Sequence, residues 1–564
     1  MSKTTARIVF ALTAAFFAAF FVWPVLQILR GGFVDADGRL TLAYLGALLT
    51  NPTYLTALRN SLLLACAGTS LALLIALPLA YVSDRFLFPL KGFLNSAVLV
   101  PMILPPFVGA IGIKQIFGQY GAVNALIVDL GLRHRGWTFD WFAANQFWGV
   151  AVVEALSLYP IIYLNAVAAL ANVDPAMEEA AQNLGCTGLR RFGRITLPLI
   201  RPGLFAGCTI VFIWIFTELG TPLVFDYSQV TSVQVFYGLK DIGGNPFPYA
   251  LVAVMLASSV LIYAVGKGFF GRTGHAMMAR ATSVGGARSL AAPEALLCTA
   301  AFCCVTLVAV LPHLGVLLVA SSRDWYASVL PREFTLGNFR AALGSEYTVP
   351  SIANSLKYAS VSTVIDVILG ISIAYVVVRT KLAGRNMLDF LSMLPLAVPG
   401  IVLAFGYLAM SQEGRFFAFL NPVRNPTILL IVAYSIRRLP YVVRSAAAGF
   451  EQTSVALEEA AENLGSTPFR AMLKITLPLI SASLMAGALL AFAFAMLEVS
   501  DSIILAQKQV YFPITKAILE LFQLLGDGKF LACALGVWAM AFLGAMVAGV
   551  SLVLGKRLGA LFRV

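Results

Sequence analysis

Glu178-Glu179-Ala180-Ala181-Gln182-Asn183-Leu184-Gly185 runs on to Ile195-Thr196-Leu197-Pro198-Leu199-Ile200. At an offset of 280 residues the chain reads Glu458-Glu459-Ala460-Ala461-Glu462-Asn463-Leu464-Gly465, closing on Ile475-Thr476-Leu477-Pro478-Leu479-Ile480. Between 178–200 and 458–480, 15 of 23 positions are identical. Both stretches are polar islands in an apolar chain, where Leu, Ile, Val and Phe interchange without altering physical character. A matched pair of polar islands marks one task done twice, and such a repeat has to be recognised before a fold is assigned.

Working outward, the 564 residues are 60% hydrophobic and only 12% charged, against roughly 25% charged in soluble domains. Many apolar runs reach the ~20 residues that cross a bilayer as a helix. The class is an all-α polytopic membrane protein. Its net charge of +12 fits the Lys and Arg that gather in cytoplasmic loops. No basic run interleaves with aromatics as a single-strand binder requires, so nucleic acid is excluded as a partner and membrane lipid is expected. Six of the seven cysteines lie in apolar runs, all but Cys186, and none forms a CxxC pair; they read as small core residues. His134, His275 and His313 are far apart, so no histidine metal site is expected.

Apolar runs fall at roughly 8–29, 59–82, 92–117, 146–171, 202–225 and 247–270, then 294–320, 355–378, 387–411, 427–449, 480–505 and 530–555. The first exceeds a signal peptide's ~7–15-residue apolar region and lacks an A-x-A site, so it is expected to be a retained span. The reading is about twelve transmembrane helices in two sets of six. Asn60-Ser61-Leu62 matches Asn354-Ser355-Leu356, and Pro101 and Pro105 match Pro395 and Pro399, at an offset of 294. Pro160 and Pro440 are 280 apart, so the second half is shorter by 14 residues between its third and fourth spans. Six is even, so the repeat is parallel, not inverted. The expected organisation is a first repeat over 1–270, a cytoplasmic linker over 271–293 (Gly271, Arg272, Arg280, Gly285, Gly286, Arg288), and a second repeat over 294–564. Lys and Arg are more frequent in the segments that a cytoplasmic N-terminus would leave inside. Both termini and both polar islands are therefore expected in the cytoplasm.

Each island reads as a short helix, about 174–185 and 454–465. Asp174 is a capping oxygen followed by Pro175, which has no N–H to satisfy; Ser454 occupies the equivalent position. Glu178, Glu179, Glu458 and Glu459 sit early, where carboxylates favour the helix dipole. Gly185 and Gly465 stop the helices. Two such helices form a pair of identical handles for a two-fold symmetric cytoplasmic partner.

The pattern E-A-A, three residues, G, nine residues, I-x-L-P resembles the signature of bacterial ABC importer permeases of the type I, EAA-motif family. Glu179-Ala180-Ala181, Gly185, Ile195 and Leu197-Pro198 fit it, as do Glu459-Ala460-Ala461, Gly465, Ile475 and Leu477-Pro478. The resemblance implies that each helix is a coupling helix seated on a nucleotide-binding subunit, with Glu178, Glu179, Ala180, Ala181, Gly185, Glu458, Glu459, Ala460, Ala461 and Gly465 in contact with it. Two permease subunits are then fused in one chain. Pro101-Met102-Ile103-Leu104-Pro105-Pro106-Phe107-Val108-Gly109, Gly118-x-x-Gly121-x-x-Asn124 and Arg437-Arg438-Leu439-Pro440-Tyr441 resemble the fused ferric-iron permeases; relatives of this architecture carry thiamine, phosphonates or phosphorylated sugars. The partners so implied are two copies of a cytoplasmic ABC ATPase and a periplasmic or lipid-anchored substrate-binding protein, at the bacterial cytoplasmic (inner) membrane. The chain has no G-x-x-x-x-G-K-[ST] phosphate loop. It is read as a non-enzyme that binds no cofactor itself, with ATP-Mg on the partner.

Glu218 and Glu498 are 280 apart, late in the equivalent fifth spans, with Asp501 a turn beyond Glu498. A charge at mid-bilayer costs about 2.5–3.5 kcal/mol on insertion scales, so it faces protein or a water-filled path. These carboxylates are candidate path residues for a hard cation, or are paired structurally. Arg437 and Arg438 lie in the tenth span, where the first half has Ser157 and Leu158. Their partner is Glu498 or Glu413; as free charges they would suit an anionic cargo. Pro101, Pro105, Pro106, Pro395 and Pro399 interrupt the third spans and offer a hinge. The remote rival, a secondary transporter of the major facilitator type, also has twelve spans in parallel halves but no use for the repeated helices. No nucleophile–base pair supports a membrane enzyme.

Overall fold

The computed structural model describes residues 3–35, 37–142, 145–239, 245–270 and 288–554. Most of the linker, including Gly271, Arg272, Arg280, Gly285 and Gly286, lies outside the described residues. The chain is built from helices. The principal ones are α1 (Ala6–Phe33), α2 (Pro52–Arg85), α3 (Gln146–Ala171), α4 (Pro175–Asn183), α5 (Leu197–Thr217) and α6 (Phe247–Phe270) in the first half. Their counterparts are α7 (Ala292–Ala320), α8 (Thr348–Arg379), α9 (Thr427–Gln452), α10 (Val455–Asn463), α11 (Leu477–Met496) and α12 (Gly528–Leu554).

Among the described residues, nine helices are long and apolar enough to cross a membrane, or eleven if two bent pairs each count as one span. Three of the expected twelve spans are not counted as single apolar helices. The third span of each half is broken: Lys91–Ile103 meets Pro106–Asp129 at 94°, and Arg385–Leu396 meets Gly400–Met410 at 102°. The breaks fall at Pro105 and Pro399, both in extended backbone (ψ 138 and 139); a proline has no N–H to continue the preceding helix and restricts the residue before it. The tenth run is the helix α9, which is long enough but carries Arg437, Arg438 and Arg444 and is not among the nine.

The fifth and eleventh spans are also shorter than 202–225 and 480–505. Helix α5 ends at Thr217, Glu218 is extended (φ −62, ψ 131), and short helices follow at Gly220–Val224 and Thr231–Gly238. Likewise α11 ends at Met496 before Ser500–Leu505 and Ile514–Gln523. The repeated Asn-Ser pairs hold these returning segments. Asn60 Nδ2 donates to the Gln229 carbonyl (3.0 Å) and Asn354 Nδ2 to that of Val510 (2.8 Å). Ser61 Oγ accepts from Thr231 N (2.8 Å) and Ser355 Oγ from Ile514 N (2.7 Å), satisfying donors at a helix start that lack intrahelical partners.

Each half forms a three-helix unit, α2 with α3 and α5, and α8 with α9 and α11. The peripheral helices are exchanged. Helix α1 packs on Gly400–Met410 of the second half and α7 on Pro106–Phe117 of the first. Glycine makes the second crossing possible: a Cβ on Gly315 would sit 2.7 Å from the Gly112 carbonyl oxygen. The Tyr407 hydroxyl donates to the Phe20 carbonyl (2.7 Å) and Arg415 Nη1 to Gln27 Oε1 (2.8 Å) at the first. The two sequence halves are thus not independent packing units. Phe10 near the start of α1 lies against Gly384, just past the end of α8, while the far end of α1 meets Tyr249 at the start of α6. Phe247 at that start stacks on Tyr54 at the start of α2, so the far ends of α2 and α8, with α4 and α10, lie on one face of the molecule, as a parallel repeat requires.

Candidate functional site: two clamped helices and a polar cluster between the halves

The polar islands form helices where capping chemistry dictates. Asp174 accepts from Ala176 N (2.9 Å) and Ser454 from Ala456 N (3.3 Å). Gly185 (φ +79) and Gly465 (φ +88) take the left-handed conformation that ends each helix. The next helix starts on a widened turn in both halves. Pro198 and Pro478 lack the N–H of the next helical bond, and Leu197 N and Leu477 N reach back five residues to the Phe192 and Met472 carbonyls.

The paired glutamates of each island do different things. Glu178 is buried and its Oε1 accepts from Arg85 Nη2 (2.8 Å) and Thr196 Oγ1 (2.6 Å). Glu458 Oε1 accepts from Arg379 Nε (3.2 Å) and Thr476 Oγ1 (3.0 Å). Arg85 and Arg379 end α2 and α8, so one carboxylate oxygen ties the second span, the short helix and the root of the fifth span together in each half. Ala181 and Ala461 are buried beneath the helices, whereas Glu179, Ala180, Glu459 and Ala460 face outward. Leu184 and Leu464, 88% and 90% exposed, lie open beside them. Glu178, Glu458, Ala181 and Ala461 thus face the bundle, whereas Glu179, Ala180, Gly185, Glu459, Ala460 and Gly465 are open at the surface. The clamp residues Arg85, Arg379, Thr196 and Thr476 went unread, although each pair sits at a repeat offset.

The intramembrane charges converge on a cavity of about 100 Å³ between the halves. Glu218, Glu498, Arg437 and Arg438 all line it, with Glu154 from α3, Trp214 from α5 and Phe494 from α11; Asp501 lies behind Glu498, against Arg437. Of the two partners considered for the arginines, the structure selects Glu498. Arg437 Nη1 donates to Glu498 Oε1 (2.6 Å) and to Asp501 Oδ2 (3.4 Å), and Arg438 Nη2 donates to Glu498 Oε2. The Arg438 guanidinium also lies over the Phe494 ring, 5.6 Å from its centre. Glu413 pairs instead with exposed Arg424 at 3.2 Å. The four second-half charges therefore neutralise one another by charge-assisted hydrogen bonds. Gly400 admits this arrangement, since a Cβ there would collide with the Arg437 guanidinium.

The first half has no such pairing. Its positions equivalent to Arg437, Arg438 and Asp501 are Ser157, Leu158 and Thr221. Glu218 Oε1 accepts from the Gly220 and Thr221 backbone N–H groups (3.0 and 3.3 Å). Glu154, 1% exposed, has an Oε1 with no hydrogen-bond partner. It was missed, although a carboxylate in the middle of an apolar run is the same signal that singled out Glu218. Among the described residues, no group of three or more His, Cys, Asp and Glu side chains could hold a metal ion.

Residues 68–274 and 366–552 each match the family described as binding-protein-dependent transport system inner membrane component. The ferric transport system permease protein FbpB of Actinobacillus pleuropneumoniae is 27% identical over 509 residues, 86% of this chain and 69% of that protein. The Fe(3+)-transport system permease protein FbpB 2 of Haemophilus influenzae is 23% identical over 82% of this chain and 83% of its own. The sulfate transport system permease protein CysT of Salmonella typhimurium is 26% identical over 247 residues, 43% of this chain and 86% of CysT. Two family matches in one polypeptide, each containing one clamped helix, make this chain a member of the binding-protein-dependent inner-membrane permeases of ABC importers, with two copies of the family's unit fused end to end.

Proposed function

We propose that the chain is the translocation subunit of an ATP-driven importer of ferric iron, which an external binding protein delivers. The observation that carries the architecture is the duplicated clamp. Two helices on one face, held by the same oxygen of equivalent glutamates, leave Glu179, Ala180 and Leu184, and Glu459, Ala460 and Leu464, available to a two-fold symmetric partner. That partner is a cytoplasmic ATPase in two copies. It binds and hydrolyses MgATP, and its closure pushes the two helices together. Through Arg85 and Arg379 the motion reaches α2 and α8, and through Thr196 and Thr476 it reaches α5 and α11. The three-helix units then rock about the proline-broken third spans, opening the central cavity alternately to each side. Both termini lie in the cytoplasm in this reading.

The ferric assignment rests on the ferric permeases that align over most of the chain. An anionic cargo would have been favoured by free arginines, but Arg437 and Arg438 are engaged by Glu498 and Asp501, which removes the reason to prefer a phosphonate or a phosphorylated sugar. The test is uptake of radiolabelled ferric iron by proteoliposomes containing this chain with its ATPase and binding protein. Uptake that requires ATP and the binding protein, and is unaffected by phosphonate, thiamine or sugar phosphates, supports the assignment. Absence of ferric uptake from an assembled complex that transports one of those competitors overturns it.

A further inference from the structure

We infer that Glu154 and Glu218 form a transient cation station in the membrane, confined to the first half of the chain. The inference deepens the reading above by assigning the cargo-contacting groups, and the ligand class is a hard, oxygen-seeking cation. Three observations lead to it. Both side chains line the cavity between the halves. Glu154 is 1% exposed and presents an Oε1 without a hydrogen-bond partner. The cationic groups nearby are committed elsewhere: Arg437 and Arg438 to Glu498 and Asp501, and Lys114 to Asp226 (3.1 Å) and the Val224 carbonyl (2.8 Å).

Carboxylates without a basic partner are costly in a low-dielectric interior, and a passing cation relieves that cost. Oxygen donors select hard cations over soft ones. Two carboxylates, one already anchored by the backbone N–H groups of Gly220 and Thr221, make an incomplete cage. Incompleteness suits transit, because a site on a conduction route has to release what it takes. In the second half Tyr434 replaces Glu154 at the equivalent position, its hydroxyl is spent on Ser502 Oγ (2.6 Å), and the buried carboxylates with an unpartnered oxygen, Asp366 and Asp501, do not line the cavity.

Trp214 lines the same cavity and supplies an optical reporter. Terbium(III), a hard trivalent cation that emits when excited through a nearby indole, would be titrated into the full chain in nanodiscs with its ATPase bound. The expected result is indole-sensitised emission that falls at least fivefold in Glu154→Gln and in Glu218→Gln, is retained in Glu154→Asp, and is unchanged in the exposed-pair control Glu413→Gln. Ferric uptake by the same two glutamine variants would fall at least tenfold. Emission in either glutamine variant equal to that of the unsubstituted chain would overturn the station. Terbium binding is read without transport, so the station and the ferric assignment fail separately. A glutamine variant that does not assemble is replaced by the other, since either alone decides the point.

Discussion

The face carrying α4 and α10 and the cavity between the halves obey opposite rules. At the face, every part of the clamp recurs: arginine, glutamate, threonine, the capping oxygen and the left-handed glycine. In the cavity the glutamates Glu218 and Glu498 correspond and each accepts a backbone N–H, from Thr221 and Asp501, but two arginines hold Glu498 in addition and, among the described residues, none pairs with Glu218. The difference follows from what each region meets. Two identical partners on a two-fold axis demand identical docks. A single small cargo needs one route, and residues beside it are released from symmetry.

The largest asymmetry is expected in stability. Glu498→Ala strands buried Arg438 and leaves Arg437 only its 3.4 Å contact with Asp501, and breaking a buried pair in this way costs about 3–5 kcal/mol. Glu218→Ala removes an acceptor from two N–H groups, at about 1–3 kcal/mol. Thermal unfolding of the detergent-purified chain should rank them in that order, and equal losses would break the comparison. Next, Arg85→Gln and Arg379→Gln each remove a charge-assisted bond worth roughly 1.5–3 kcal/mol. The symmetric face predicts matched losses of binding-protein-stimulated ATPase activity in the two variants. A Gly185→Val or Gly465→Val change forces a β-branched residue into left-handed backbone, costing about 1–2 kcal/mol. A Cβ at either position would meet nothing within 4 Å, so the effect is conformational and should reduce ATPase co-purification equally. Last, Glu413→Gln disturbs only an exposed pair with Arg424, worth about 0.2–1 kcal/mol, and should leave the melting curve almost unmoved.

What could be read from the chain divides along the same line. The clamped helices were legible because capping, dipole and C-terminal glycine are local chemistry written within a dozen residues, and duplication doubled the signal. Membrane carboxylates were legible as charges but not as partners. Arg437 meets Glu498 across 61 positions, and no spacing rule distinguishes that from the Glu413 that belongs to Arg424. The breaks after Thr217 and Met496 were hidden because apolar character continues through Val224 and Leu505 while the backbone turns. The exchange of α1 and α7 was invisible for a related reason: an apolar helix surface does not say which half it packs on. Arg85 and Arg379 were legible in principle, since they lie 294 residues apart like the Asn-Ser pairs near the other end of the same helices.

The central claim is that one chain offers two equivalent docks to two ATPases. A photo-crosslinking amino acid placed at Ala180 or, separately, at Ala460 tests it, because both positions face outward. Irradiation of the assembled complex should capture the ATPase from either position in similar yield, and a chain carrying both substitutions should capture two ATPases. Capture from only one position, or a limit of one ATPase per doubly substituted chain, would contradict the account.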